Sequence, residues 1–330
     1  MAHRTNAKKL KGTPGGERAG IALTWDGVTE RQWGEYLAVA GPAPLEQSWS
    51  YGDAIAAGSL YRPTRGVFRR GREVVAVAQA IDWPLAGVAH IVKLVRGPVF
   101  LTEGLEPVER MAVFRLLKDR WPMARLNWFF FTPEAADGAA ARDRMAALGL
   151  KRTVTGYSTA WLDLSEGVEA VRAGLQQKWR NQLVRAEGEK LRVRDAHGGP
   201  SLSWLLERHD EHRKRRRLRT STGAFAAALT LLAPKPRDVL VLQAERGSDP
   251  LAAVLFLRHG AAATYHIAWT GPEGRAAYAH NLLVWRGIER LAADGVRWLD
   301  LGGIDGSMPG VSRFKLGTGA EPVTLVGTWL

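Results

Sequence analysis

Two stretches of the chain repeat one order of apolar and polar positions. Alternation at Thr64–Phe68, Val74–Asp82 and His90–Val95 predicts three strands, with a turn at Arg70-Gly71. A helix is predicted from about Pro107 to Arg120, with Pro107 suited to its first turn. An aromatic-rich strand, Leu126 to Phe131, closes the set. Further on, Asp238–Ala244 and Ala252–Arg258 flank a turn at Arg246-Gly247, and Ala262–Trp269 follows as a third strand. Tyr278 to Asp294 then reads as a helix and Val296–Leu301 as the closing strand. This helix and strand lie about 170 residues beyond their counterparts. The equal spacing predicts a duplication: two units of hairpin, strand, helix and strand, an α/β (α+β) architecture.

Residues outside the units are more polar. Residues 1–20 are basic and Gly-rich without an apolar segment, which predicts a loose tail rather than a secretory signal. Ile21–Trp25 reads as a strand, Glu30–Leu37 as a helix capped by Thr29, and Leu45–Ala54 as a polar-aromatic segment entering a short helix. Between the units, Gly167 to Leu191 predicts one amphipathic helix with Val168, Val171, Leu175, Trp179 and Leu183 on one stripe. Its polar side carries Lys178, Arg180, Arg185 and Lys190. A second helix from about Leu202 runs into Arg213-Lys214-Arg215-Arg216-Arg217-Leu218-Arg219, six basic residues in seven. Such a run reads either as a contact for a phosphate-bearing ligand or as a solvated face. The expected domains are residues 21–155 and 156–321, the second including the basic segment 167–219.

Length and composition agree with two domains: 330 residues, 46% apolar. No apolar run approaches the ~20 residues of a membrane span. The absence of cysteine excludes disulfides, a thiol nucleophile and a thiolate metal site. A cytoplasmic enzyme is the plain expectation, with the inner membrane face as a further location. The formal charge of +13 points to a polyanionic partner: nucleic acid, an anionic membrane surface or a phosphorylated substrate. Solubility in an Arg-rich proteome is the bland alternative.

The common catalytic signatures are missing: no Gly-x-Ser-x-Gly elbow, no His-Glu-x-x-His, no phosphate loop. His209 and His212 sit three apart but within the basic run, where a metal cation is repelled. Gly302 to Gly310 holds four glycines and a proline in nine residues, an irregular turn with room for a ligand. After it comes Phe314-Lys315. Lys315 reads either as a lysine neutralising charge in a transition state or as a surface lysine. Asp300 and Asp305 flank Gly302-Gly303; one is a candidate proton acceptor, and the alternative is that Asp300 ends the strand and caps the turn. Tyr265 is a candidate ligand contact or half-buried core.

Together these residues resemble a family. Gln47-Ser48-Trp49, Arg96-Gly97-Pro98-Val99, Trp179 to Glu187, Asn281-Leu282-Leu283-Val284-Trp285, Asp300-Leu301-Gly302-Gly303 and Phe314-Lys315 look like the FemABX family. Its members are aminoacyl-tRNA-dependent transferases that add amino acids to peptidoglycan precursors. The resemblance runs in the family's order from about Gln47 and fits the compact type without a helical arm. It implies two tandem GNAT-like acyltransferase domains, mixed sheets flanked by helices, with 322–330 returning to the first. It implies aminoacyl-tRNA as donor and co-substrate, with no cofactor and no metal. The acceptor is the amino group of a stem peptide on UDP-MurNAc-pentapeptide or lipid II, or another amine in a natural-product pathway. Peripheral membrane association goes with that acceptor.

Residue by residue, the resemblance makes Lys315 the stabiliser of the tetrahedral oxyanion. Arg217 or Arg219 holds a pyrophosphate, and Tyr265 contacts the acceptor. Gln47, Trp49, Arg96 and Asp305 join the expected substrate site, although some relatives carry a lysine where Gln47 or Ser48 stands. Lys178, Arg180, Arg185, Arg213, Lys214, Arg215 and Arg216 are the expected tRNA contacts. The rival readings are an acyl-CoA-dependent GNAT N-acyltransferase and a non-catalytic RNA- or membrane-binding protein. Against the former, no clear Gln/Arg-x-x-Gly-x-Gly/Ala loop precedes either long helix.

Overall fold

The computed structural model describes residues 13–85, 88–218 and 220–330. Two sheets carry the chain. The first has nine strands, eight in the order Thr13–Arg18, Ile21–Trp25, Arg62–Arg70, Glu73–Leu85, Ala89–Val95, Asn127–Thr132, Thr328–Trp329 and Arg152–Val154, with Val99–Phe100 set against Glu73–Leu85. The second has seven: Arg192–Ala196, Val239–Arg246, Asp249–His259, Ala262–Thr270, Trp298–Gly303, Ser158–Asp163 and Glu321–Thr324. Each sheet contains one parallel pair, and each pair is bridged by a crossover helix, Pro107–Arg120 in the first unit and Ala279–Ala293 in the second.

Both cores follow from the alternation. Leu94, Phe129 and Phe131 face Phe114 and Leu117 of the first crossover helix. Leu242, Val254 and Phe256 face Leu283, Trp285 and Ile288 of the second. The opposite face of the second sheet, with Val241, Leu255 and Ile267, is covered by helices Gly199–Arg216 and Gly223–Leu231. Leu45 and Ala54 of the first unit enter this same cluster, and Tyr51 meets Phe225 edge-on at 5.5 Å. Apolar packing therefore fixes the two units against each other.

Three local expectations are corrected. Thr13–Arg18 is an edge strand, not tail, because Ala19 and Gly20 form a two-residue turn at φ 48° and 74° that returns the chain onto Ile21–Trp25; residues 1–12 lie outside the described residues. The segment 167–191 forms two helices, Val168–Gly174 and Gln177–Gly188. The break at Leu175 is held by Gln176 N–H donating to Gly317 O at 2.9 Å and by Arg180 donating to Ala173 O and Leu175 O. At the C-terminus, Glu321–Thr324 pairs with Ser158–Asp163 in the second sheet, and the return to the first unit starts only at Leu325, which bridges Ala136, with Thr328–Trp329 set against Asn127–Thr132 and Arg152–Val154.

Candidate active site

The two parallel pairs differ in one respect. In the first unit the strands stay paired over six positions, His90↔Asn127 to Val95↔Thr132. In the second they pair over three, Ala262↔Trp298 to Thr264↔Asp300, and then separate. Both strands are irregular at the parting point. Tyr265 pairs with Phe256 and Ile267 with Leu255, so His266 is an extra bulge residue. Opposite it, Gly302 has φ +72°, and the ladder to Ser158–Asp163 slips between Asp300 and Gly303. A left-handed conformation at this position favours glycine. The result is a wedge between two strands.

Lys315 reaches this wedge from an unexpected element. Pro309–Leu316 is an eight-residue helix, not part of a turn; Pro309 stands at its first position and Lys315 in its last turn. The ammonium donates to Gly303 O at 2.7 Å and lies 5.7 Å from the Tyr265 ring centre. Lys315 is 8% exposed. Burial pulls its pKa down to about 8, against the opposing pull of Asp300 and Asp305. Tyr265 hydroxyl and His280 Nε2 are 3.0 Å apart, and the His280 ring lies 5.0 Å from that of Phe314. Burial holds His280 down at about 4 and raises Tyr265, so both are neutral at pH 7. Tyr157, 45% exposed, rims the wedge: a Cβ on Gly303 would sit 3.0 Å from its ring.

Asp300 is spoken for. It is 1% exposed, and Oδ1 accepts from Gly302 N–H at 2.8 Å and Thr159 hydroxyl at 2.7 Å. Oδ2 accepts from Arg96 Nη1 at 2.6 Å. Strand-ending and turn-capping account for Asp300, and a free proton acceptor it is not. Arg96, expected in the substrate site, is 4% exposed; its other nitrogens fork onto Glu134 at 2.7 and 2.8 Å, and Glu46 lies at 3.6 Å. Burial alone would lower the Arg96 pKa, but Glu46, Asp300 and Glu134 raise it well above the ordinary value. Arg96 thus ties the first unit to the turn beside Lys315, buried among three carboxylates rather than facing a substrate.

Gln47 is corrected in the same way. It is fully buried, donates to Gln79 O and Val95 O, and accepts from Gln79 N–H at 2.7 Å. Its amide bridges two strands and leaves nothing for an acceptor. Trp49 has the Arg65 guanidinium 3.4 Å over its ring and lines a cleft of about 680 Å³ with Trp33, His259 and Arg297. Neither Lys315 nor Tyr265 lines that cleft. Asp305 lies on the exposed loop before the Lys315 helix, accepting from the Ser307 hydroxyl and from Ser307 and Met308 N–H groups, and these bonds, the hydroxyl first, lower its pKa.

The basic residues form two groups. Lys178, Arg180 and Arg185 are exposed on Gln177–Gly188, with Arg180 committed to the helix break. Arg213, Lys214, Arg215 and Arg216 occupy the last turn of Gly199–Arg216, and Arg217 follows at φ 51°. Part of this density is structural: cations complement the helix dipole there, and Arg213 pairs with Asp210 at 3.1 Å. Lys214 to Arg217 remain exposed. Just beyond, Ser221 is 3.3 Å from Nε2 of His266, the bulge residue, so the basic end abuts the strand that opens the wedge. Arg219 lies outside the described residues.

His280, Tyr157 and the Arg96–Asp300 pin were missed from sequence. His280 directly precedes the Asn281-Leu282-Leu283 motif, which was its one available signal.

Comparison with known proteins bears on the fold that holds this geometry. A family profile described as an acetyltransferase (GNAT) domain matches residues 171–322, which contain the wedge and Lys315. The chain thus carries a GNAT-type domain in an architecture of mixed sheets flanked by helices. As a whole it has a FemABX-like fold: the solved structure of FemX superposes with a TM-score of 0.77, covering 92% of this chain and 96% of that one at 12% identity. A conserved protein of unknown function from Bacteroides thetaiotaomicron gives 0.60, over 92% and 97%, at 13% identity. The C-terminal domain of a putative lysylphosphatidylglycerol synthetase from Agrobacterium fabrum gives 0.52, over 91% and 92%, at 13% identity. No curated protein matches by sequence. Among the described residues no helix is long and apolar enough to cross a membrane.

Proposed function

We propose that this chain is an acyl-transferring enzyme that moves an aminoacyl group from aminoacyl-tRNA to an amine acceptor, forming an amide in the wedge. The observation that carries this reading is a buried ammonium, Lys315, aimed between the parted strands with a single backbone partner. The acceptor amine attacks the ester carbonyl carbon, and the carbonyl oxygen gains negative charge as the C–N bond forms. Lys315 stabilises that oxyanion in a poorly solvated site, where a fixed charge acts more strongly than in water. The C–O bond to the ribose then breaks, and the amine proton leaves with the ribose oxygen, since both Asp300 oxygens are occupied. An activated ester asks little more than alignment and charge stabilisation.

An acyl-CoA donor is the second reading, favoured by the GNAT description of residues 171–322. Against it, the approach to the second crossover helix is filled by a short helix, Pro272–Ala276, in place of an open glycine loop for a pyrophosphate. The basic helix end supports a tRNA or pyrophosphate contact beside the bulge. A stem-peptide amine on UDP-MurNAc-pentapeptide or lipid II is the acceptor proposed from the FemX likeness.

Two outcomes follow. Because burial lowers the Lys315 pKa to about 8 in the free protein, the ammonium is present below that pH and lost above it, so kcat/KM falls as pH rises through about 8. A pH profile of kcat/KM checks this, and Lys315→Arg shifts the fall to higher pH. Reversing Arg216 and Arg217 to Glu raises the tRNA KM and lowers the salt dependence of binding by about two counterions. An unchanged KM makes the basic end a bystander.

A further inference from the structure

We propose that His280 is a positioning residue of the wedge: its Nε2–H donates to the Tyr265 oxygen, which leaves the Tyr265 hydroxyl to donate to the acyl carbonyl oxygen alongside Lys315. This deepens the acyl-transfer reading and rests on it, but the state of the imidazole is measurable without turnover.

The ring is held from two sides. The Tyr265 hydroxyl is 3.0 Å from Nε2, and the Tyr265 ring meets the imidazole edge-on at 5.8 Å. The Phe314 ring lies 5.0 Å from the imidazole and is itself backed by Trp179 at 5.8 Å. Phe314 stands on the helix that delivers Lys315, so one element sets both the imidazole and the ammonium. Tyr265 and His280 are each half-buried, so the pair is not sealed in the core.

Which partner donates is decided at the other nitrogen. Burial holds the His280 pKa down at about 4, so at pH 7 the ring carries one proton, on Nδ1 or on Nε2. Nδ1, the nitrogen nearer the backbone, is buried without a partner among the described residues. His280 is the second residue of Ala279–Ala293, and the free N–H groups of a helix's first turn make that end positive. A proton on Nδ1 would be an orphan donor buried at a positive end. A bare lone pair there is attracted instead, which puts the proton on Nε2. The Tyr265 oxygen then accepts, and its hydroxyl makes no other hydrogen bond among the described residues. A free donor suits an oxygen, and the oxygen that gains charge in the proposed step belongs to the acyl carbonyl. Tyr265 shares that hydrogen bond without ionising, since burial raises its pKa. The opposite tautomer would offer the wedge only a lone pair, which suits the attacking amine.

The tautomer is read from long-range proton–nitrogen NMR spectra of the whole chain labelled with ¹⁵N-histidine, His280→Gln identifying the signal. Nε2 should be protonated and Nδ1 bare at pH 7; a protonated Nδ1 overturns the inference. In transfer assays Tyr265→Phe should lower kcat about 100-fold, as loss of one oxyanion donor does. His280→Leu, with circular dichroism unchanged, should lower kcat about tenfold and move the acceptor KM less than about threefold. His280→Gln should keep most of the rate, because its amide N–H reaches the Tyr265 oxygen. The double variant Tyr265→Phe, His280→Leu should be no slower than Tyr265→Phe alone, since His280 acts through the hydroxyl. Losses that multiply, or no rescue by Gln, make His280 merely structural and overturn the inference. So does a raised acceptor KM at unchanged kcat, which gives Tyr265 to the acceptor. The NMR result needs no donor and stands even if His280→Leu fails to fold. A bare Nδ1 in a chain that takes nothing from aminoacyl-tRNA overturns the proposed donor, whereas a protonated Nδ1 in an active chain overturns this inference alone.

Discussion

Replacing Lys315 by Met lowers kcat by about two to three orders of magnitude while the acceptor KM changes less than about threefold. The split follows from geometry. In the resting site the ammonium is held by Gly303 O, a neutral partner, and among the described residues no carboxylate pairs with it. Its charge is therefore available to an oxyanion that exists only as the new bond forms, so its loss appears in turnover and not in binding. Met fills similar space, so the fold persists and the loss is chemical. Lys315→Arg should retain part of the rate, because its charge survives but its fork does not fit one backbone carbonyl. Steady-state kinetics on the purified variants decide it. Wild-type turnover in Lys315→Met removes Lys315 from the chemistry.

The second large effect is at Arg96, far from Lys315 in sequence. Arg96→Met leaves Asp300, Glu134 and Glu46 facing one another without their cation. Burial, first among its causes, already raises the Glu46 pKa, and Asp300 raises it further, while Arg96 is the largest opposing influence. Breaking such a buried cluster costs about 3–5 kcal/mol, read as a lower denaturant midpoint. Arg96→Lys separates positioning from stability. One ammonium cannot span Glu134 and Asp300 together, so the Asp300 cap on Gly302 loosens while net charge is kept. The variant should stay folded, with kcat reduced about tenfold and the tRNA KM unaltered. Equal loss of kcat and stability in both variants would reduce Arg96 to a structural role.

The regular elements were legible because both units obey simple periodicities. Val239–Arg246 and Asp249–His259 are strands within three residues of the expected bounds, and Ala279–Ala293 buries the apolar face its sequence announces. Lys315 and Tyr265 were legible as candidates, and the fold places them 5.7 Å apart. The wedge itself was not legible. It depends on one extra residue, His266, and on the phase at which two strands part, neither of which alters the hydrophobic pattern. Pro309 and Gly310 read as turn residues, yet proline at a helix's first position starts the helix that delivers Lys315. Gln47 and Arg96 stand in motifs and were taken for substrate contacts. A motif marks a constrained position, and here the constraint is a buried bond to Gln79 or Asp300. Partners 32 and 204 residues apart leave no local signal.

The most direct test offers the chain a pool of tRNAs, each charged with a different radiolabelled amino acid, together with UDP-MurNAc-pentapeptide or lipid II. Labelled acetyl-CoA runs in parallel. Label passing from one tRNA to an acceptor, and lost in Lys315→Met, is the expected result and names the amino acid. Label passing only from acetyl-CoA contradicts the proposed donor and leaves a GNAT acyltransferase on the same fold.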